Sequence, residues 1–189
     1  MKPLIIGVDI DDTLNDFKPT FCEEWDRMYP DEIHLSPDEL TGSFYLNECY
    51  PPDLADKVDA IFLAPGFHRG LKLKPYASEA LEQMVADGHK VSVCTAAHPK
   101  SPWMYAEKIE WLTRELGMSF AKRTHIANDK TLIDVDVLID DRPEIRGDRD
   151  PPHWKHILFD APCNRHVTGK PRLTDWRRWR EAINEVMGY

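Results

Sequence analysis

An apolar run that ends in aspartates, close to the N-terminus, restricts the fold of this chain more than any other segment. Residues 4–8 are apolar around a single glycine, which is typical of a buried strand in a parallel sheet. Asp9 follows this predicted strand directly, and Asp11 lies two residues further on. Ligands of open α/β sheets bind at the carboxyl ends of strands, so one carboxylate can attack or hold a metal while the other transfers a proton. Asp12 or Thr13 can cap the next helix, but capping does not account for three acids.

Strand and helix patterns alternate along most of the chain. The predicted strands are 4–8, 90–94, 123–127, 135–139 and 156–159, and the predicted helices are 15–28, 75–87, 103–116 and 176–187. This order predicts an α/β fold with a parallel sheet and helices on both faces. Residues 30–74 are irregular, acidic and rich in aromatics, with one short helix near 53–63. We therefore predict a core of residues 1–14 and 75–189 with a small helical cap inserted at 15–74.

Composition excludes several classes of protein. The net charge of −9 argues against binding of a nucleic acid polymer, which depends on clustered Lys and Arg. The sequence contains no apolar run of the length that crosses a membrane, and the acids that soon follow the first apolar residues argue against a signal peptide. Four widely spaced cysteines are best explained as reduced thiols, so we expect a cytoplasmic protein.

Three further positions place polar side chains just beyond predicted strands. Thr95 follows the second strand, Lys130 follows the third, and Asp140 and Asp141 end the fourth. Taken alone, the threonine is more often a cap and the lysine is more often a solvated surface residue. The two aspartates are costly side by side unless positive charge lies nearby. If the first and fourth strands are adjacent, their carboxylates form a hard oxygen site that suits Mg²⁺.

The order and placement of these residues resemble the four motifs of the haloacid dehalogenase superfamily of phosphatases. Within it, the chain resembles the 5′(3′)-deoxyribonucleotidases in the segments D-x-D-x-x-L-x-D-F at 9–17, C-T at 94–95, D-K-T at 129–131, L-I-D-D-R-P at 138–143, and H-W-K-H-I-L-F followed by C-N-x-H between 153 and 166. The resemblance implies a Rossmann-like core with a helical cap inserted after the first strand. It also implies Mg²⁺-dependent removal of phosphate from a small-molecule nucleoside monophosphate.

The resemblance also implies a role for each motif residue. Asp9 matches the nucleophile that forms an aspartyl-phosphate, and Asp11 matches the acid and base. Mg²⁺ would be held by Asp9, by the backbone carbonyl of Asp11 and by Asp141, with Asp140 as a ligand or as a partner behind the ligands. Thr95 and Lys130 match the residues that bind the transferring phosphoryl oxygens.

Substrate contacts are expected from four aromatic residues: Phe17, Phe44, Tyr45 and Phe62. Each of them, taken alone, is more often part of a core. Against the mammalian members of the family, this chain has Ala96 in place of Ser, Asn128 in place of Arg, and Tyr45 in place of Trp. These differences leave base and sugar preference open. An apolar floor against the sugar disfavours a buried 2′-hydroxyl, so we predict a preference for deoxynucleotides.

Other functions remain compatible with parts of the pattern. A phosphatase of another small phosphate ester would use the same motifs. A receiver-like signalling domain also combines acids, a threonine and a lysine around Mg²⁺, although it has no need of Asp11 or of a large aromatic insertion. A metal-binding relic of the same fold is a third alternative. The sequence leaves open whether the chain forms a homodimer.

Overall fold

A six-stranded parallel sheet lies at the centre of the structure, a computed structural model that describes residues 2–189. The strands are β1 (Ile5–Val8), β2 (Lys90–Thr95), β3 (Thr124–Ile126), β4 (Val137–Asp140), β5 (Lys155–Phe159) and β6 (Arg172–Leu173). Their order across the sheet is β3-β2-β1-β4-β5-β6, with every neighbouring pair parallel. The predicted α/β class is confirmed, and β1 and β4 are adjacent as the metal-site prediction requires.

Eight α-helices and five short 3₁₀-helices accompany the sheet in the described residues. The α-helices are α1 (Phe17–Met28), α2 (Leu46–Cys49), α3 (Ala55–Phe62), α4 (Phe67–Gly70), α5 (Ala77–Ala86), α6 (Met104–Glu115), α7 (Met118–Ala121) and α8 (Trp179–Met187). The 3₁₀-helices are Pro37–Glu39, Pro52–Leu54, Lys130–Leu132, Pro162–Asn164 and Trp176–Arg178. None of these helices is long and apolar enough to cross a membrane.

The two faces of the sheet are covered differently. Ile6 and Val8 of β1 belong to the largest apolar cluster, which also contains buried residues of α5, α6 and α8. On the opposite face, a smaller cluster around Leu138 and Trp154 is closed by loops and by the 3₁₀-helix at 130–132. The α-helices of the first cluster and the 3₁₀-helix at 130–132 thus cover opposite faces of the sheet, in agreement with the predicted fold class.

Residues 17–62 build an apolar cluster of their own. Its buried members lie on α1, α2, α3 and the intervening loops, from Phe21 and Trp25 to Ile61. The chain enters and leaves this region through two adjacent segments, since the Lys74 N–H donates to the Leu14 carbonyl at 2.8 Å. Both observations fit a cap at 15–74, and that division of the chain stays a prediction.

The predicted elements differ from the observed ones mainly at their ends. Most boundaries shift by one or two residues, and the closing helix begins with a 3₁₀ turn before α8. The strand β6 has only two residues, too few for a period-2 pattern, and the sequence did not predict it. Met28, the last residue of α1, is exposed.

Gly7 lets the second face of the sheet close on β1. A Cβ built at this position lies 2.9 Å from Cys94 Sγ and 3.2 Å from Leu138 Cδ1. We expect Gly7→Ala to lower the free energy of unfolding by about 1–3 kcal/mol through overpacking, measured by urea denaturation. In the double variant with Cys94→Ala, the loss should be smaller than the sum of the single losses, because the sulfur is removed. Additive losses would show that the contact does not limit this position.

Candidate active site

The turn after β1 presents both motif aspartates at the carboxyl edge of the sheet. The Asp9 N–H donates to the Ile139 carbonyl at 2.9 Å, so the ladder with β4 continues one residue past β1. The chain then turns at Asp12, whose φ is 55°. The Asp12 carboxylate accepts from the Lys18 N–H in the first turn of α1 at 2.9 Å. Asp12 thus has the predicted capping role, which leaves Asp9 and Asp11 for other functions.

Lys130 joins the first and fourth motifs. Its Nζ lies 2.6 Å from Asp9 Oδ1 and 2.6 Å from Asp140 Oδ2, and all three side chains are buried. Burial opposes the ammonium form, but the two carboxylates outweigh it and raise the pKa of Lys130. The second oxygen of Asp140 accepts from the Arg142 N–H at 2.8 Å. Protein donors therefore occupy both oxygens of Asp140.

Asp141 has much weaker protein partners than Asp140. Lys18 Nζ lies 3.8 Å from Asp141 Oδ2 but only 2.9 Å from Asp12 Oδ2. Burial raises the pKa of Asp141 well above its ordinary value, and burial also raises the pKa of Asp9 to about 7. Lys130 and Lys18 act in the opposite direction on Asp9 and Asp141 respectively, but they do not offset the effect of burial.

Lys108 connects the first motif with the second. From the buried side of α6, its Nζ reaches Asp11 Oδ2 at 2.6 Å, Thr95 Oγ1 at 3.0 Å and the Ala96 carbonyl at 2.6 Å. Burial raises the pKa of Asp11, but Lys108 outweighs it and lowers the pKa overall. Thr95, predicted as a phosphate ligand, accepts from Lys108 in this structure and donates to the Ala96 carbonyl. The sequence analysis did not predict Lys108.

These contacts form one network of charged side chains at the sheet edge. Its members are Asp9, Asp11, Asp12, Asp140 and Asp141, with Lys18, Lys108 and Lys130. Five carboxylates and three ammonium groups leave a formal charge of −2. One oxygen from each of Asp9, Asp140 and Asp141 lies within 4.8 Å of the others. A buried oxygen cluster with a charge deficit of this size fits a hard divalent cation.

A cavity of about 710 Å³ opens above this network. The four aromatic residues predicted to contact substrate all line it, namely Phe17, Phe44, Tyr45 and Phe62. Phe17 and Phe62 pack edge to face with their centroids 6.3 Å apart. Phe44 and Tyr45 lie beside Arg142, whose guanidinium donates to the Tyr45 hydroxyl at 2.6 Å. The structure thus brings the predicted substrate residues and the predicted catalytic residues to one cavity.

Lys18 and Lys108 were not predicted from the sequence, because a helical lysine is most often solvated. The spacing of apolar residues along α1 and α6 nevertheless marks both positions as buried. The buried residues of α1 are Lys18, Phe21, Cys22 and Trp25, and those of α6 are Met104, Glu107, Lys108, Trp111 and Leu112. Each lysine therefore stands on an apolar stripe. His68 and Arg142, which also line the cavity, carry no such signal.

Asn164 fixes the loop that carries Asp141. The side chain is fully buried, and its amide nitrogen donates to the carbonyls of Asp141 at 2.6 Å and Phe159 at 2.7 Å. Arg172 in turn donates to Asn164 Oδ1 at 2.6 Å. Asn164 of the C-N-x-H segment therefore holds the backbone of the fourth motif in place through these hydrogen bonds.

Replacing Lys108 by Met keeps a long side chain but leaves the Asp11 carboxylate, which is 27% exposed, without its ammonium partner. Removing one member of a buried pair costs about 3–5 kcal/mol, so we expect Lys108→Met to lower the free energy of unfolding by about 3 kcal/mol in urea denaturation. Adding Asp11→Asn should restore part of the loss. The control Lys100→Met breaks an exposed pair with Asp59 and should cost less than about 1 kcal/mol. Equal losses for both lysines would contradict this description of the network.

Several known proteins are similar to this chain over almost its whole length. The family described as 5′ nucleotidase, deoxy (Pyrimidine), cytosolic type C protein matches residues 3–187. A Bordetella pertussis protein provisionally named 5′(3′)-deoxyribonucleotidase is 41% identical over 180 residues, which cover 95% of each chain. The human cytosolic-type 5′(3′)-deoxyribonucleotidase is 36% identical, with 96% of this chain and 94% of the human chain covered.

A solved structure supports the fold separately. A haloacid dehalogenase family hydrolase from Deinococcus radiodurans, with bound phosphate and sodium, has a TM-score of 0.64 at 15% identity and covers 97% of this chain and 96% of its own. The predicted superfamily fold and the prediction of an enzyme are both confirmed, and the receiver-like alternative has no support. The chain belongs to the 5′(3′)-deoxyribonucleotidase family of haloacid dehalogenase-fold phosphatases.

Proposed function

We propose that this protein hydrolyses deoxynucleoside monophosphates with Mg²⁺, through an aspartyl-phosphate on Asp9. The observation that carries the proposal is the joint position of Asp9 and Asp11. Both line one cavity, and each carboxylate lies 2.6 Å from a buried lysine. The same cavity has an aromatic wall, formed by Phe17, Phe44, Tyr45 and Phe62. The membership of the chain in a deoxyribonucleotidase family supports the substrate class.

The donor set fits Mg²⁺. Hard divalent ions bind carboxylate and carbonyl oxygens, and the network has a formal deficit of two positive charges. Asp9, through the oxygen that does not face Lys130, Asp141 and the backbone carbonyl of Asp11 would hold the ion. Asp140 would pair with Lys130 and would not bind the ion, because protein donors satisfy both of its carboxylate oxygens. When bound, Mg²⁺ supplies the positive charge that lowers repulsion between the carboxylate and a phosphate dianion.

The two aspartates then divide the reaction. Asp9 attacks phosphorus and forms the aspartyl-phosphate while the bond from phosphorus to the sugar oxygen breaks. Asp11 gives a proton to that oxygen, so it must be protonated in the substrate complex, where the negative charge of the phosphate opposes the effect of Lys108 on its pKa. In the second half, Asp11 takes a proton from water, whose oxygen attacks the same phosphorus and releases phosphate and free Asp9. Lys130 and Thr95 bind the phosphoryl oxygens. Lys108 keeps Asp11 in position throughout.

The first catalytic prediction concerns these two residues. Asp9→Asn should abolish turnover, because an amide does not form the covalent intermediate. Asp11→Asn should lower kcat about 10²–10⁴-fold while Mg²⁺ still binds, because the carbonyl ligand survives. Steady-state phosphate release measures both effects. The control Asp38→Asn changes a surface acid paired with Arg165 and should match wild type. Wild-type rates in Asp9→Asn would contradict the proposed mechanism.

A second prediction concerns the metal. Phosphate release should stop after exhaustive chelation with EDTA and return with Mg²⁺. Because a ligand that binds only the folded state stabilises it, Mg²⁺ at about 100 times its Kd should add about 2.7 kcal/mol to the free energy of unfolding. Asp141→Ala should lose this increase, and Asp38→Ala should keep it. Activity that survives chelation, or an unchanged Mg²⁺ effect in Asp141→Ala, would exclude this site.

The aromatic wall supports the preference for a deoxy sugar. Phe17 and Phe62 line the cavity from the helices α1 and α3, and Phe44 lines it from the loop before α2. Lys18 and Arg142 lie against the Phe44 ring, with 5.5 Å and 5.2 Å to its centroid, so this ring is held next to the charged network. A preference for pyrimidines is supported by the description of the family alone.

The substrate prediction compares dUMP with UMP. A buried 2′-hydroxyl without a partner costs about 1–3 kcal/mol, so we expect dUMP to be preferred about five- to a hundredfold in kcat/KM. Phe44→Ala should reduce this preference more than it slows p-nitrophenyl phosphate hydrolysis. Equal kcat/KM for dUMP and UMP in the unmodified protein would leave the alternative, a phosphatase of another small phosphate ester.

We also propose that residues 15–74 act as the cap that encloses the substrate, and that the protein is cytoplasmic. The separate apolar cluster supports the first proposal. The four free cysteines and the cytosolic type of the human relative support the second.

A further inference from the structure

His68 is a buried polar residue of the cavity that the reaction above does not use. It lies on α4, its side chain is 2% exposed, and it lines the cavity beside Phe17 and Asp11. The Phe17 ring stacks on the imidazole with centroids 5.9 Å apart, and Phe67 packs edge-on at 5.3 Å. The two phenylalanines fix the orientation of the imidazole plane.

The backbone of Phe62 determines which imidazole nitrogen carries the hydrogen. His68 Nε2 lies 3.0 Å from the Phe62 carbonyl, and a carbonyl only accepts, so Nε2 is the donor. Nδ1 then has a free lone pair and acts as an acceptor.

Nδ1 has no hydrogen-bond partner within residues 2–189. Four buried side-chain polar atoms share this property there, on Thr13, Tyr50, His68 and His89, but only His68 lines the cavity. Asp11 Oδ1 lies 4.0 Å from Nδ1, too far for a hydrogen bond. Buried polar groups are nearly always paired, so this acceptor suits a donor that the substrate brings.

We propose that His68 Nδ1 accepts a hydrogen bond from the 3′-hydroxyl of a deoxynucleoside 5′-monophosphate, and so determines specificity for the sugar. This inference rests on the proposed function. Asp11 faces the leaving O5′, and only the three carbons C5′, C4′ and C3′ separate that oxygen from the 3′-hydroxyl. The span from O5′ to the 3′-hydroxyl is therefore comparable with the 4.0 Å between His68 Nδ1 and Asp11 Oδ1. A deoxy sugar offers no 2′-hydroxyl, so the 3′-hydroxyl is the donor available to Nδ1.

The test compares kcat/KM for dUMP and for 2′,3′-dideoxyuridine 5′-monophosphate. An acceptor left unpaired in the dideoxy complex predicts a dUMP preference of about ten- to a hundredfold in the unmodified protein. His68→Phe keeps a ring against Phe17 but removes the acceptor, so the ratio should fall to about twofold or less. His68→Asn keeps an acceptor near the position of Nδ1 and should retain part of the ratio. The control Asp38→Asn, which changes a surface acid outside the cavity, should keep the wild-type ratio.

Several outcomes would overturn the proposal. A ratio near one in the unmodified protein shows that the 3′-hydroxyl is not bound, and it tests the proposal even if His68→Phe fails to fold. An undiminished ratio in His68→Phe assigns the preference to another residue, and a preference for UMP over dUMP assigns the acceptor to the 2′-hydroxyl. Hydrolysis of p-nitrophenyl phosphate without hydrolysis of any nucleotide overturns the proposed function as well.

Discussion

The balance of buried charge at the carboxyl edge of β1 and β4 is the constraint on which the site depends. Two unit charges about 4 Å apart interact by about 4 kcal/mol at an effective dielectric of about 20, so five carboxylates cannot share this volume without nearby cations. Three lysines supply most of the compensation. Burial raises the pKa of Asp9 and Asp141, and the cluster keeps a formal deficit of two positive charges. A divalent ion would remove this deficit, so the charge balance at this edge of the sheet agrees with the proposed metal-dependent reaction.

The topology brings these charges together from distant parts of the chain. The order β3-β2-β1-β4-β5-β6 puts the strand that carries the first motif between the strands that carry the second and fourth. Gly7 allows close packing on one face, while α6 delivers Lys108 from the other side. The insertion after β1 supplies Lys18 and His68, so this segment lines the cavity and also adds a positive charge to the carboxylate cluster.

The strand exits could be predicted from the sequence because apolar runs followed by acids, a threonine or a lysine are local patterns. Asp9, Thr95, Lys130 and the Asp140-Asp141 pair all lie where the strand pattern put them. Lys18 and Lys108 were missed, since their burial depends on what packs against α1 and α6. The free nitrogen of His68 also escapes the sequence, because it results from a contact with a carbonyl six residues away. The short strand β6 exists only through its pairing with β5.

Chemical trapping tests the proposed covalent bond between Asp9 and phosphorus. Enzyme mixed with Mg²⁺ and excess dUMP is quenched in acid and reduced with borohydride, which converts an aspartyl-phosphate to homoserine. Peptide mass spectrometry then locates the change. The mechanism predicts homoserine at position 9 in the presence of substrate and none in its absence or in Asp9→Asn. An active enzyme that shows no trapped residue, or one at another position, would contradict it.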